Sequence, residues 1–249
     1  MRRYTPLVGC LRRNPRHSRF PVPNAVWEYK LKPIEFMILS YLCCCRSHKS
    51  DRTEITAGAI ASAVHLTEVT VKKYLASLVG KKLITDEERP LAPTFQHAGD
   101  RKFFTLPNEI FLLNLPSSAF MVYAYLLLIE DRKTHTCHPS YNTIAAVTGL
   151  AKNTAMKSIS TLLEMGLIAV EPSSYFDKRG MKWTGNNLYT ILSTQIAVDQ
   201  FHQRQLHQLE LNAERRRVRK RQETHDHRHS RAVLCSPPAP GASAPAPAT

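Results

Sequence analysis

Glycine is scarce in this sequence, with nine residues among 249, and most of them stand where turns are expected. The chain has no glycine-rich phosphate loop and no paired acidic motif of the kind that nucleases use. A nucleotide-dependent enzyme is therefore hard to build from it. We expect a non-enzymatic protein that needs no cofactor.

Cysteine is also sparse, and its spacing resembles neither a structural zinc site nor a secreted disulfide framework. Cysteines 43–45 lie within an apolar helical pattern, so they are expected to be small core hydrophobes. The histidine-rich run at 225–229 could hold a metal, but we interpret it as incidental polarity. His135, Cys137 and His138 form one short cluster, which is weak evidence for zinc. We expect no metal and a reducing, cytoplasmic setting.

Acidic residues are absent from the first 20 positions, which hold six arginines. The net charge is +14, of which residues 194–249 carry +4, so the middle of the chain is only mildly basic. Basic ends favour a polyanionic partner, with nucleic acid as the first candidate. The alternative is that the basic ends only keep the protein in solution.

One segment occurs twice, 84 residues apart and without a gap. Residues 20–84, the first copy, align with residues 104–168, the second copy, and 17 of the 65 paired positions are identical. Most identities are apolar or proline, the residues that a fold needs. This pattern predicts two domains of one fold, each with its own surface chemistry.

The repeat also explains an uncharged run at 110–129 that is long enough to suggest a membrane span. Its equivalent in the first copy, residues 26–45, carries Glu28, Lys30, Lys32 and Glu35. Two copies of one fold should not differ in crossing a membrane. We therefore predict a buried helix and no membrane partner.

Each copy predicts the same order of elements. First helices are expected at 33–46 and 117–131, and second helices begin after the N-caps Thr56 and Ser140. Third helices have apolar residues at 71, 75 and 78, or at 155, 159 and 162, which gives one buried side. Hairpins follow at about 83–105 and 171–187. This order predicts a mainly α, α+β fold of tandem winged helix-turn-helix domains.

The predicted organisation is a flexible basic arm at 1–19, winged-helix domains at 20–103 and 104–193, a basic helix at 194–223 and a disordered tail at 224–249. In a helix-turn-helix the third helix enters the major groove of DNA. Its outward residues are therefore the candidate DNA-binding residues: Thr70, Lys72 and Lys73 in the first copy, and Lys152, Asn153, Thr154 and Lys157 in the second. The alternative is that they are only solvated.

The second hairpin carries Lys178, Arg179 and Lys182, which are suited to phosphate or the minor groove, although a plain polar loop is an equal alternative. The first hairpin begins with the acidic run 86–90, which argues against an equal phosphate grip. We therefore expect the first copy to bind DNA more weakly or to hold a protein surface.

Residues 137–145, 149–154 and 166–168 resemble the helix-turn-helix domain family of bacterial mobile elements, and residues 104–111 are similar to the N-terminal domain of plasmid replication initiator protein A. Ala151 departs from the family pattern, which has a serine cap. The resemblance implies double-stranded DNA binding in replication initiation or transcriptional control. It does not decide whether the protein forms a homodimer, whether it contacts replication or transcription proteins, or whether its winged helices serve as docking surfaces for proteins.

Overall fold

The computed structural model describes residues 19–47, 55–85, 92–93, 102–176 and 178–234. Residues 1–18 of the predicted arm, the acidic run 86–90 and residues 235–249 of the predicted tail lie outside the described residues. Arg19, which we assigned to the arm, is instead the first residue of a strand. Its guanidinium donates to the Thr105 carbonyl oxygen at 2.9 Å, which ties it to the second copy.

The first copy opens with a strand and a 3-10 helix and continues with three helices and a short hairpin. Its elements are β1 (Arg19–Pro23), the 3-10 helix (Asn24–Tyr29), α1 (Pro33–Ser47), α2 (Ala57–Ala63), α3 (Glu68–Gly80), β2 (Ile84–Thr85) and β3 (Ala92–Pro93). β2 and β3 pair antiparallel, as the predicted hairpin requires.

The second copy repeats this order and adds a larger sheet. Its elements are β4 (Phe103–Pro107), the 3-10 helix (Asn108–Leu113), α4 (Ser117–Ile129), β5 (Thr136–Cys137), α5 (Tyr141–Thr148), α6 (Lys152–Glu164), β6 (Ile168–Glu171), β7 (Ser174–Phe176), β8 (Lys182–Thr184) and β9 (Leu188–Ile191). β9 lies between β5 and β6, and β7 pairs with β8 as the wing. Helices with small antiparallel sheets in this order form an α+β winged helix-turn-helix fold, which confirms the predicted class.

The ends of the second helices follow the predicted local chemistry. Thr56 caps α2 by accepting from the Ala59 amide at 3.1 Å, and Ser140 caps α5 by accepting from the Thr143 amide at 3.0 Å. Each cap satisfies an amide that has no partner within its helix. Both predicted N-caps are therefore confirmed.

A continuous hydrophobic core joins the two copies. All six apolar positions predicted for the third helices are buried, namely Val71, Leu75, Leu78, Ala155, Ile159 and Leu162. Cys43 and Cys44 are buried as well, and burial raises the pKa of the Cys43 thiol to about 12, so both behave as core residues. Within the described part of the chain, no helix is long and apolar enough to cross a membrane.

The final helix, α7 (Thr194–Leu234), extends past the predicted end at residue 223. Its first turns belong to the main compact unit, which ends at Phe201, and Ala197 and Val198 are buried there. A separate unit begins at His202. Most described side chains there are polar and exposed, although Leu206, Leu209 and Val218 are exposed as well.

Candidate nucleic-acid interface

The recognition helix of the second copy is α6, whose orientation is set by its buried side. Ala155, Ile159 and Leu162 point into the core, and α6 packs against α4. Gly149 ends α5 with φ at 67°, a left-handed conformation that favours glycine and allows the tight turn into α6. With this side held in the core, the exposed side of the helix carries Lys152, Asn153, Met156 and Lys157.

The outward side of α6 gathers four of the predicted site residues at its N-terminal end. Lys152, Asn153 and Lys157 are exposed, and Thr154 is half-buried. Asn can bond adenine through two hydrogen bonds, while Lys reaches guanine or phosphate. The structure therefore brings an amide and two cations together within the first two turns of one helix.

The N-terminus of α6 also lacks a side-chain cap. Ala151 occupies the N-cap position with an extended backbone, and its methyl side chain makes no cap hydrogen bond. This agrees with the departure from the family pattern noted in the sequence. Uncapped amides at a helix N-terminus are donors suited to an anion such as phosphate.

The equivalent helix of the first copy, α3, has the same frame but different outward chemistry. Thr67 caps it by accepting from the Thr70 amide at 3.3 Å, and the hydroxyls of these two residues lie 2.8 Å apart. Glu68 stands where the second copy has Lys152, and it pairs with Lys72 at 2.7 Å. The predicted site residues Lys72 and Lys73 are exposed, and Thr70 is half-buried. The carboxylate compensates the charge of Lys72 locally.

Val69 is a functional candidate that the sequence analysis missed. Its side chain is 79% exposed, at the position that Asn153 occupies in the second copy. The sequence did contain the evidence for this exposure, because position 69 lies off the buried side of the helix that residues 71, 75 and 78 define. Apolar side chains on a recognition helix can contact the methyl group of thymine.

The wing of the second copy is anchored at its base and carries cations at its tip. Ser173 and Asn186 bond across the base, where the Gly185 amide donates to the Ser173 carbonyl at 2.8 Å. Lys178 and Arg179 are exposed beside Gly180 at the tip. Lys182 begins strand β8, and the placement of its side chain lies outside what the structure describes.

A polar contact ties this wing to the helix-turn-helix. The Asn187 amide donates to the Tyr141 hydroxyl at 3.0 Å, which links the wing to the first residue of α5. Asn187 also lies 3.5 Å from the Tyr189 hydroxyl, whose pKa burial raises to about 12. The Tyr189 hydroxyl is therefore protonated near neutral pH.

Exposed cations also occupy α7. The unit that begins at His202 carries Arg204 and a basic cluster at 215–220 on its described surface. Among the described residues, no group of three or more His, Cys, Asp or Glu residues is placed to hold a metal ion. Within this unit, the cluster at 215–220 is the densest concentration of charge of one sign.

Comparison with known proteins supports a nucleic-acid interface in the second copy. Residues 113–168 match the helix-turn-helix domain family. The matched stretch contains α4, α5 and α6, so the outward residues of α6 belong to a helix-turn-helix domain, a class of domain used to bind DNA.

Other comparisons add little. No curated protein matches the chain. Among solved structures, a possible transcriptional regulator from Methanosarcina mazei Go1 is similar at 19% identity over 44% of this chain and 88% of that chain, with a TM-score of 0.30. At that TM-score the likeness carries no argument.

Proposed function

We propose that this chain is a non-enzymatic, sequence-specific protein that binds double-stranded DNA. The observation that carries the proposal is the exposed set Lys152, Asn153 and Lys157 at the start of α6, within a matched helix-turn-helix domain. Helix α6 enters the major groove, where Asn153 reads adenine and the lysines contact guanine or phosphate. Thr154, at the half-buried edge, contacts a base or the backbone.

The basic wing and the basic ends of the chain add affinity that does not depend on sequence. Lys178, Arg179 and Lys182 follow the phosphate backbone or the minor groove beside the recognition helix. The cluster at 215–220 on α7 adds further contacts to phosphate. Because each neutralised phosphate releases counterions, binding weakens steeply as salt concentration rises.

In the cell we place this protein in the bacterial cytoplasm, associated with the nucleoid. We propose that it initiates replication, or regulates genes, of a plasmid or integrative element. The resemblance of residues 104–111 and 137–154 to domains of such elements supports this role. Regulation of chromosomal genes is the closest alternative, and it uses the same interface.

A protein-docking role would need α6 and its wing to face an interface inside the molecule. The exposure of Lys152, Asn153, Lys157, Lys178 and Arg179 favours DNA instead.

The test is to recover the fragments that the full chain holds from sheared DNA of its own genome. A Lys152→Ala/Asn153→Ala/Lys157→Ala variant should lose sequence-specific recovery. Each lost base contact removes about 1–3 kcal/mol of discrimination. Repeated sites near an origin would favour initiation, and promoter sites would favour regulation.

The matched control is Arg132→Ala/Lys133→Ala, which removes two exposed cations from the loop between α4 and β5. This control should recover the same fragments as the unmodified chain. Unchanged recovery with the α6 variant would contradict the proposed interface.

A further inference from the structure

The strands that open the two copies pair with each other around a central point. β1 and β4 run antiparallel, and Pro21 lies opposite Thr105, its own equivalent 84 residues later. The register is symmetric about this pair, so that Pro23 lies opposite Phe103 at one end. A segment that pairs with its own equivalent in this way has the self-complementarity of a twofold axis.

Aromatic contacts between the copies show the same reciprocity. The rings of Phe20 and Phe111 stack with centroids 5.9 Å apart. The repeat places Phe104 at the position of Phe20 and Trp27 at the position of Phe111, and the Trp27 and Phe104 rings lie 6.3 Å apart. Each copy therefore makes the same contact to the other.

Further ring pairs fit the same axis. Phe36 in α1 meets its own equivalent, Phe120 in α4, with centroids 6.0 Å apart, so these residues lie near the axis itself. Another reciprocal pair of contacts joins Tyr41 to Phe111 at 5.3 Å and Tyr125 to Trp27 at 5.8 Å. The two copies are thus related by a local pseudo-twofold axis, as the subunits of a symmetric dimer are.

The start of a recognition helix lies at this boundary between the copies. His65, in the turn before α3, has Nε2 3.2 Å from the carbonyl oxygen of Phe111 in the second copy. Its equivalent in the turn before α6 is Gly149, and the equivalent of Phe111 is Trp27. The contact of His65 places the start of α3 beside the boundary, and from the pseudo-twofold relation we infer the same place for the start of α6.

A duplex has twofold symmetry of its own, and symmetric helix-turn-helix dimers bind half-sites that mirror the symmetry of the protein. We propose that one chain acts as an intramolecular dimer and reads two inverted but unlike half-sites of a single duplex. This inference rests on the proposed DNA-binding function. It assigns α6 to one half-site and α3 to the other, in successive major grooves.

The half-sites are unlike because the outward residues of the helices differ. Lys152 and Asn153 can make directed hydrogen bonds, so the half-site under α6 is strictly specified. At the same positions α3 presents Glu68, paired with Lys72, and the exposed apolar Val69. Val69 contacts a thymine methyl group. Lys73, the equivalent of Lys157 in the repeat, keeps the contact to phosphate or guanine. The half-site under α3 is therefore read more loosely.

The experiment begins with selection of bound sequences from a random duplex library of about 30 bp, long enough for two half-sites spaced by one helical turn. The unmodified chain should recover one strongly specified half-site and, about 10 bp away, a weakly specified half-site in inverted orientation. Native mass spectrometry should show one chain per duplex.

The decisive variant gives α3 the outward residues of α6. Glu68→Lys/Val69→Asn/Lys72→Met should shift the preferred site to a palindrome of the strict half-site, with about tenfold or greater preference for the palindrome over the original site. Ala76→Ser is the matched control, because it also converts an exposed α3 residue to its α6 equivalent but lies one turn farther from the N-terminus. This control should leave the preferred site unchanged. Thermal unfolding confirms that both variants fold.

Several outcomes would overturn the inference. A single half-site bound as tightly as the full site, together with no shift for the grafted variant, would leave the proposed DNA-binding function standing and reject the intramolecular dimer. Two duplexes per chain, or half-sites in direct orientation, would also reject it. Failure of the unmodified chain to bind any duplex would reject both proposals.

Discussion

The third helices of the two copies share one backbone and differ in almost every group that they present to water. α3 begins with a threonine cap and an internal Glu68–Lys72 ion pair, whereas α6 begins uncapped with Lys152 and Asn153 exposed. Their buried positions remain apolar in both copies. Duplication has therefore kept the packing surface and changed the contact surface, which is how one fold carries two specificities.

The backbone itself is conserved even where the residue type is not. Left-handed residues close the same turns in both copies: Lys30 and Asn114, His65 and Gly149, and Lys82 and Gly166. A side chain other than glycine in this conformation costs about 1–2 kcal/mol. The first copy accepts that cost at His65 and Lys82. The turn geometry is thus required by the packing around it and not by glycine.

The largest expected effect tests whether the copies are one folding unit. Phe36→Ala and Phe120→Ala each remove a buried ring near the pseudo-twofold axis, and each should lower the free energy of unfolding by about 3–5 kcal/mol. Because the two rings share one core, either variant should unfold in a single transition. Urea denaturation followed by circular dichroism and by tryptophan fluorescence measures this.

The control for this comparison is Phe103→Ala, since Phe103 is 53% exposed and its loss should change the free energy of unfolding little. Two separated transitions in the Phe120→Ala variant would mean that the copies fold independently. That result would favour the separate domains at 20–103 and 104–193, boundaries that stay a prediction.

A buried ionic network in the first copy is centred on an ion pair whose two positions are apolar in the second copy. Glu35 accepts hydrogen bonds from Lys81 Nζ at 2.6 Å, the Ser77 hydroxyl at 2.7 Å and the Lys32 amide at 2.8 Å. The equivalent residues of Glu35 and Lys81 are Ala119 and Met165. Burial alone would raise the pKa of Glu35, but these hydrogen bonds and the Lys81 charge together hold it below its ordinary value of 4.5.

Because the pKa of Glu35 is lowered by folding, its contribution to stability is present above pH 4.5 and is lost as the pH falls through the lower folded value. Glu35→Ala alone should cost roughly 2–3 kcal/mol near pH 7, less than a fully buried pair would, because Lys81 is partly exposed and can turn to water. The variant should also lose part of the acid-induced decline. Urea midpoints measured from pH 3 to pH 7 check both effects.

The matched variant is Glu35→Ala/Lys81→Met, which installs the residues of the second copy. Apolar replacements of buried ion pairs are often neutral, so this double variant should recover most of the stability lost at pH 7 while keeping the flatter pH dependence. A double variant as unstable as Glu35→Ala alone would show that the network shapes the first copy beyond its charges.

Local chemistry made much of this structure predictable. The caps Thr56 and Ser140, the buried spacing of each third helix and the hairpin of β7 and β8 all follow from residues close together in sequence. Strand β5 was missed, since its two residues, Thr136 and Cys137, pair with β9, which lies more than 50 positions away in the sequence. The pseudo-twofold axis was missed for the same reason, because its contacts join residues more than 60 positions apart, as in the pair Phe36 and Phe120.

The smallest expected effect on the free energy of unfolding comes from changing the N-cap residues of the recognition helices. Ala151→Ser supplies the side-chain oxygen that α6 lacks and should raise the free energy of unfolding by about 0.5–1 kcal/mol. Thr67→Ala removes the bond to the Thr70 amide and should lower it by about 1 kcal/mol. Ser140→Ala removes a cap bond that exists in the second copy, and so measures how far the loss of such a bond lowers the free energy of unfolding there. Urea denaturation resolves these shifts.

No gain from Ala151→Ser would imply that water already satisfies the first amides of α6 as well as a serine would. In that case the two recognition helices would differ in their outward residues alone and not in how firmly their N-termini are held.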